Sequence, residues 1–203
     1  MSKKNYGDHS LKALKGPDQV RKRPAVIFGS DGIEGCQHSV FEILSNSIDE
    51  AREGFGSEIT ITRYLDGTVE IVDHGRGIPI DYNKNEEKYN WELAFCTLYA
   101  GGKYDNNSGE SYTFALGLNG LGLCATQFSS EYMEVESDNG VWRHTLRFEK
   151  GFNVTKDSEG KGFVRTKSGG RSGTHIKWKP DLEVFTEIDI PRDYYYDILR
   201  RQA

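Results

Sequence analysis

The chain has 203 residues, 36% of them apolar and only five of them proline, which predicts a single α/β domain with one core. A formal net charge of −5 argues against an extensive DNA-backbone contact surface, because duplex DNA is bound chiefly through lysine and arginine. No apolar run is long enough to span a membrane and the polar start lacks the core of a secretion signal, so we expect a cytosolic protein. The three widely spaced cysteines, Cys36, Cys96 and Cys124, are expected to be reduced thiols rather than a disulfide framework or a zinc site.

The first half of the chain predicts an arm, a long helix and a hairpin. Residues 1–24 are polar and include a short basic helix at DQVRKRP that Pro24 ends, so we expect an arm outside the core. From Cys36 to Ala51 apolar residues recur at helical spacing, which predicts a helix. Apolar and polar residues then alternate on both sides of Asp66-Gly67, a dipeptide preferred in tight turns, and this pattern predicts two antiparallel strands.

The second half predicts a helix, a loop, a second helix and a run of strands. WELAFCTLYAGGKY predicts a short apolar helix stopped by Gly101 and Gly102. A long loop without periodicity follows, of the kind that often forms a lid, and GLNGLGLCATQFSS predicts a glycine-rich turn that leads into a helix. EYMEVES, VWRHTLRFE, GFVRTKS and GTHIKWKP alternate as further strands, and PRDYYYDILRRQA predicts a terminal helix.

Four polar side chains lie on one stripe of the Cys36 to Ala51 helix. His38, Glu42, Asn46 and Asp49 follow one another at intervals of three or four residues, which at about 100° per residue places them on one face. A carboxylate with an imidazole one turn away can polarise a water molecule, and an amide oxygen one turn further can ligate a hard cation. The alternative is that the stripe is only the solvent face of an amphipathic helix, and the helix alone does not decide between them.

A second motif, DHGRGIP, directly follows the apolar end of a strand. The carboxylate of Asp73 can accept a hydrogen bond from an exocyclic amino group such as that of adenine, and the glycines allow a base to approach the backbone. Arg76 is positioned to pair with a carboxylate of the helix such as Glu50. An ordinary turn is the alternative for this motif.

A third motif combines AGGK, which ends at Lys103, with GLNGLG, residues 117–122. Closely spaced glycines at a helix start offer free N–H groups to phosphate oxygens, and a lysine adds positive charge. The order of residues fits neither a P-loop nor a dinucleotide fingerprint. On the last strand, Thr174 can join Asp73 in holding a base or a bridging water, or it can be simply a good strand former.

In chain order, Glu-x-x-x-Asn on a helix, Asp-x-Gly-x-Gly after a strand and the Gly-x-x-Gly-x-Gly turn resemble the three nucleotide-binding boxes of the GHKL ATPase superfamily. VRKRP, SVFEILSNSIDEA, DHGRGIP, LYAGGKYD and SGTHIKW resemble specifically the N-terminal ATPase domain of the B subunits of bacterial type II DNA topoisomerases, gyrase and topoisomerase IV. The resemblance implies a Bergerat-type α/β fold, an α+β two-layer sandwich with a mixed sheet and helices on one face.

The resemblance also implies roles for individual residues. Glu42 matches the general base, His38 the residue that assists it, and Asn46 the Mg²⁺ ligand. Asp73 matches the carboxylate that reads adenine and Thr174 its partner. The other implied nucleotide-site residues are Tyr6 of the arm, Ile43, Asp49, Glu50, Arg76, Gly77, Ile78, Pro79, Gly102, Lys103, Tyr112, Gly117, Leu118, Asn119, Gly120, Leu121, Gly122 and Leu123.

The function implied is ATP binding and hydrolysis that drive DNA strand passage through nucleotide-gated dimerisation, with Mg²⁺ as cofactor and with the topoisomerase A subunit and DNA as partners. The expected division is an arm at 1–24, a GHKL ATP-binding domain at 25–190, and at 191–203 the start of a connection to a second domain. Because that second domain supplies a γ-phosphate lysine in this family, the chain as given is expected to bind ATP as a monomer and to turn it over poorly. The alternative is a nucleotide-dependent clamp or chaperone module of the MutL or Hsp90 type, although VRKRP and GRGIP favour the topoisomerase.

Overall fold

The computed structural model describes residues 13–100 and 121–202, and within them the chain folds into one layer of helices against one main sheet, with a small two-stranded sheet beside it. The longest helix carries buried apolar residues, among them Val40, Ile43 and Leu44, and packs on the sheet. Pro24 is the first residue of a helix, a position where its missing N–H costs nothing. The helices are α1 (Asp18–Arg21), α2 (Pro24–Phe28), α3 (Ile33–Arg52), α4 (Asn90–Cys96), α5 (Gly122–Phe128) and α6 (Arg192–Gln202).

The sheet places its last long strand in the middle. Its strands are β1 (Ile59–Arg63), β2 (Val69–Asp73), β5 (Ser130–Asn139), β6 (Trp142–Glu149), β7 (Phe152–Asn153), β8 (Val164–Lys167) and β9 (Ser172–Pro180). Their order is β1-β2-β9-β5-β6-β7, and β8 also pairs with β6. Every pairing among the described strands is antiparallel, so the expected fold class is confirmed but the sheet is antiparallel rather than mixed. The reason is that β1-β2 and β5-β6 are hairpins and β9 runs antiparallel to both of its neighbours.

The two faces of the sheet differ sharply in polarity. Alternate residues of β9 are buried against the helices, including Ile176 and the fully buried Trp178, whose Nε1 donates to the carbonyl of Thr126 on α5 at 3.0 Å. On the outer face, strand register places opposite charges side by side, in the row Glu70, Lys177, Glu134 and Arg147. This strict division fixes the register, because a slip of one residue would expose the core.

Three details differ from the sequence expectation. Val20 of α1 is fully buried in the core, so residues around it do not form an arm outside the domain. Helix α4 ends at Cys96, before the two glycines, because Thr97 adopts extended backbone. The polar stretch after residue 81 forms a separate hairpin of β3 (Tyr82–Asn83) and β4 (Lys88–Tyr89), and β7 was not expected either. Residues 1–12 and 101–120, with half of the expected arm and most of the expected lid, lie outside the described residues.

The terminal segment and the cysteines agree with the sequence prediction. Helix α6 packs on the domain through buried Tyr195, and the hydroxyl of Tyr194 donates to the carbonyl of Gln37 at 2.7 Å. The three cysteines are free thiols, and burial raises the pKa of Cys36 to about 12, which keeps it protonated at neutral pH. In the part of the chain that the structure covers, none of the helices has the length and apolar character needed to cross a bilayer.

Candidate active site

Asp73, the last residue of β2, is held in place by donors from three elements. Its inward position in the alternating strand leaves it 7% exposed. Its Oδ2 accepts a hydrogen bond from the hydroxyl of Ser47 on α3 at 2.7 Å. Its Oδ1 accepts from the backbone N–H groups of Gly75 at 3.0 Å and Thr174 at 3.1 Å. Thr174 therefore lies beside Asp73 and contacts it through its backbone, while the predicted role of its hydroxyl in holding a base or a bridging water stays a prediction.

The turn after β2 is tied to β5. Gly77 has a φ of +80°, a conformation that glycine adopts without strain, and a Cβ there would press on the carbonyl of Asp138. The hydroxyl of Ser137 donates to the carbonyl of Ile78 at 2.6 Å. Ile78 is half-buried and Pro79 is exposed, while Ile43 on α3 is 2% exposed. The turn is thus fixed to the sheet at its glycine-rich centre.

Arg76 joins this turn to the C-terminal end of α3. Its Nε and Nη2 donate to the two carboxylate oxygens of Glu50 at 2.9 and 2.7 Å, a bidentate arrangement, and Nη2 also reaches Glu53 at 2.5 Å. Its guanidinium carbon lies 3.9 Å from the ring centre of Phe55. These partners hold the pKa of Arg76 above its usual range, with the hydrogen bond to Glu50 as the main cause. The pairing predicted from the sequence is confirmed.

The polar stripe on α3 passes from exposed His38 to buried Asp49, which is only 6% exposed. His38 Nε2 lies 2.9 Å from Glu42 Oε1, and the side-chain nitrogen of Asn46 donates to the carbonyl of Glu42 at 2.8 Å. Because the amide nitrogen of Asn46 is used in this way, its oxygen is the atom available to a cation. Burial of Asp49 contradicts the alternative that the stripe is a plain solvent face.

The start of α5 lies directly against Glu42. A Cβ at Gly122 would overlap the carboxylate of Glu42, so the present position of that carboxylate requires a glycine there. Leu121 and Leu123 on either side are half-buried. The glycine-rich turn and the predicted base are therefore neighbours, although they are 80 positions apart in the chain.

Helix α3 brings both ends of the candidate site together. Ser47 binds Asp73, and its neighbour Asn46 belongs to the stripe that contains Glu42. Ser47 itself was not predicted, since a small hydroxyl on a helix carries no periodic signal. The predicted residues that lie outside the described part of the chain are Tyr6, Gly102, Lys103, Tyr112, Gly117, Leu118, Asn119 and Gly120.

The residues present fit a magnesium ion held mainly by phosphate. Within residues 13–100 and 121–202, no group of three or more histidine, cysteine or acidic side chains is arranged to hold a metal. Magnesium keeps several waters and binds proteins through one or two side chains together with substrate phosphates. A single amide oxygen at Asn46 suits this mode of binding and would not suit a site built from protein ligands alone.

A separate groove lies on the outer face of the sheet and is not part of this site. Its volume is about 710 Å³, and none of the predicted site residues lines it. Its lining alternates in charge and includes Glu134, Glu136, Arg147, Lys156, His175 and Lys177.

The contact between His38 and Glu42 predicts a measurable titration. The hydrogen bond that His38 donates to Glu42 raises the pKa of His38, so Glu42→Gln is expected to lower this pKa toward the ordinary value of about 6.5. The raised pKa means that the pair stabilises the fold fully below about 6.5, and that this contribution is lost as pH rises through the higher value. Histidine NMR titration measures the shift. His144, whose pKa is lowered mainly by burial, serves as the internal reference and should not move.

Known proteins share both the architecture and the sequence. The chain matches the 43K ATPase domain of Thermus thermophilus gyrase B, solved with an aminocoumarin, with a TM-score of 0.75 and 30% identity, covering 94% of this chain and 46% of that one. It also matches the topoisomerase IV ATP-binding domain of Francisella tularensis, solved with a small-molecule inhibitor. The TM-score is 0.73 at 27% identity, and the match covers 94% of this chain and 85% of that one. No family model matches the chain.

Comparison of sequences shows the same similarity to DNA gyrase B proteins. Identity to the DNA gyrase B protein of Thermotoga maritima is 37% over 200 residues, which is 98% of this chain and 30% of that protein. Identity to the mitochondrial DNA gyrase B protein of Arabidopsis thaliana is 38% over 187 residues, 90% of this chain and 25% of that protein. Identity to the Haloferax volcanii gyrase B protein is 39% over 195 residues, which is 93% of this chain and 29% of that protein.

The chain has the GHKL-type fold of the gyrase B and topoisomerase IV ATPase domains that it matches, a layer of helices on an antiparallel sheet. The chain spans between a quarter and a third of the length of the curated relatives described above. Over nearly the whole of its own length it is a homologue of DNA gyrase B proteins. This similarity favours the topoisomerase interpretation over the MutL- or Hsp90-type alternative.

Proposed function

We propose that this domain binds ATP with Mg²⁺ and hydrolyses its γ-phosphate as part of a type II topoisomerase B subunit. The observation that carries the proposal is the buried carboxylate of Asp73, held by Ser47, Gly75 and Thr174 beside a helix that presents Glu42 and Asn46. A carboxylate fixed by donors on both oxygens is pre-organised to accept one further hydrogen bond from a ligand.

Adenine is proposed to bind at the Asp73 end. Oδ1 already accepts two backbone hydrogen bonds, whereas Oδ2 accepts only the Ser47 hydroxyl among the contacts described above, so Oδ2 is the natural acceptor for the exocyclic amino group. Ile43, Ile78 and Pro79 are proposed as the apolar walls, and Gly77 lets the base approach the backbone. Arg76 and Glu50 are proposed to hold the turn in place through their bidentate pair.

The phosphates are proposed to bind at the other end of α3. Asn46 would hold Mg²⁺ through its amide oxygen, and the ion would neutralise charge on the phosphate oxygens. Glu42 would accept the proton of the attacking water, with His38 fixing the orientation of the carboxylate at 2.9 Å. Asp49 is proposed to complete this group from its buried position. Leu121, Gly122 and Leu123 are proposed to contact the triphosphate, together with Tyr6, Gly102, Lys103, Tyr112, Gly117, Leu118, Asn119 and Gly120.

The activity of the whole protein is part of the same proposal. ATP-driven dimerisation would gate DNA strand passage, with the topoisomerase A subunit and DNA as partners. The division into an ATP-binding domain at 25–190 and a connection at 191–203 remains a proposal, as does a cytosolic location, whereas the arm expected at 1–24 is revised around Val20, which belongs to the core. The relative from Arabidopsis thaliana is named as mitochondrial, so location varies among similar proteins.

Calorimetric titration of this chain with ATP, ADP and GTP in the presence of Mg²⁺ tests the proposal. ATP and ADP are expected to bind and GTP to bind at least about a hundredfold more weakly, because guanine places an acceptor oxygen against the acceptor Asp73. ADP serves as the control that isolates base recognition from the γ-phosphate. Equal affinity for ATP and GTP, or no binding of ATP, would overturn the proposal.

A further inference from the structure

One guanidinium in the VRKRP motif makes four hydrogen bonds that the proposed chemistry does not use. Arg21 Nη1 donates to the carbonyls of Phe128 and Ser130, each at 3.2 Å. Its Nη2 donates to Asp181 Oδ2 at 2.6 Å and to Glu183 Oε2 at 3.1 Å. The side chain of Arg21 is 13% exposed, so most of this network is screened from water. A four-residue helix does not need such an anchor for its own sake.

Two of these acceptors belong to the end of α5. Phe128 is the last residue of that helix, and its carbonyl is one of those left without a partner inside the helix, where a cation is favoured. Ser130 begins β5, the strand that follows. Arg21 therefore holds the point at which α5 joins the sheet.

The opposite end of α5 meets the proposed base. Gly122 packs against the carboxylate of Glu42 with no room for a Cβ. A seven-residue helix is only about 10 Å long at 1.5 Å per residue, so it moves as one body and a shift at Phe128 reaches Gly122. Thr126 in the middle of α5 is held by the buried side chain of Trp178 and donates to the carbonyl of Ser39 on α3, so the position of Gly122 against Glu42 depends on these bonds together with the anchor at the far end.

Contacts with parts of the domain outside α5 hold the segment around Arg21 in place. Pro17 packs on Gly151, where a Cβ would overlap the proline ring. Val20, the neighbour of Arg21 in the chain, is fully buried. These contacts fix the position of the segment that carries Arg21, and from this position Arg21 holds α5.

We infer that Arg21 is a positioning residue for the phosphate end of the site. It holds α5 by the carbonyls of Phe128 and Ser130 so that Gly122 meets Glu42. The inference rests on the proposed function, because it assigns the phosphate end to that junction. The adenine end is held instead by α3, β2 and β9 through the bonds to Asp73, so the two ends should respond differently to loss of Arg21.

Two matched variants separate the two sets of hydrogen bonds. Arg21→Lys keeps a cation for Asp181 but cannot reach both carbonyls, since an ammonium lacks the planar fork of a guanidinium. Asp181→Asn removes the ion pair and leaves Arg21 with its carbonyls on α5. Calorimetry with Mg²⁺ gives the affinity of each variant for ADP and for the β,γ-imido analogue of ATP. The ratio of the two affinities isolates the γ-phosphate end, because both ligands share adenine.

Arg21→Lys is expected to lower this ratio about tenfold, which corresponds to the loss of about one hydrogen bond to a phosphate oxygen, while ADP affinity stays within about twofold. Asp181→Asn is expected to lower the melting temperature and leave the ratio unchanged. Equal weakening of both ligands by Arg21→Lys, an unchanged ratio, or an unfolded Arg21→Lys variant would show a purely structural role and overturn the inference. If the unaltered chain binds neither ligand, the proposed function fails instead.

Discussion

Asp73→Asn is expected to remove measurable ATP binding. The backbone N–H groups of Gly75 and Thr174 both donate to Oδ1, so they will fix the asparagine oxygen at that position. The asparagine NH₂ then occupies the position of Oδ2, where it faces the adenine amino group donor to donor. Losing a charge-assisted hydrogen bond and leaving donors unpaired costs about 3–6 kcal/mol together, which is at least about a hundredfold in affinity. Isothermal titration calorimetry measures the affinity of each variant for ATP.

Asp138→Asn is the matched control for this experiment. Asp138 is as well buried as Asp73, at 6% exposed, but its carboxylate is already engaged by Arg143 at 3.1 Å and by the N–H of Gly140 at 2.9 Å. This variant is expected to lower stability and leave ATP affinity within a few-fold of the original. An Asp73→Asn variant that binds ATP normally would show that adenine is read elsewhere.

Glu42→Ala is expected to keep nucleotide affinity and to remove turnover in the full-length protein. The adenine end does not involve this side chain, so binding should persist. A positioned general base contributes about 10²–10⁴-fold to a rate, and a fall of that size in kcat is expected. Steady-state phosphate release and calorimetry on the same preparation separate kcat from binding.

Glu34→Ala provides the control on the same helix. Glu34 is an exposed glutamate in the first turn of α3, where it contacts the hydroxyl of Ser30, two turns away from Glu42. Its loss should change neither kcat nor affinity. If Glu42→Ala retains normal turnover, the base must be another group and the role of His38 must be reassigned with it.

Elements with strong periodicity were predictable from the sequence, and weakly periodic ones were not. The hairpin around Asp66-Gly67 is confirmed by the antiparallel pairing of β1 with β2. Its turn forms readily because Gly67 takes a φ of +82°, a conformation that glycine adopts without strain. The β3–β4 hairpin was missed because its strands are two residues long and mostly polar. Helix α1 was taken for an arm because a single apolar residue, Val20, among charged neighbours gives no pattern, although tertiary contacts bury it completely.

The candidate site shows the same division between local and long-range information. The stripe from His38 to Asp49 follows from helical spacing, and the pairing of Arg76 with Glu50 follows from charge. The bond from Ser47 to Asp73 and the approach of Gly122 to Glu42 join residues 26 and 80 positions apart, and no spacing rule reports such contacts. These long-range contacts turn a set of motifs into one site.

The donors that hold Asp73 come from α3, the turn after β2, and β9, whereas Glu42 meets the start of α5. Under the proposed function, recognition of the base and cleavage of the phosphate depend on different side chains, Asp73 and Glu42, although α3 contributes to both, so one can be lost without the other. A descendant that lost Glu42 would still bind and release ATP according to its concentration. Such a protein would respond to the concentration of ATP without hydrolysing it, and a single substitution would separate it from the hydrolysing form proposed here.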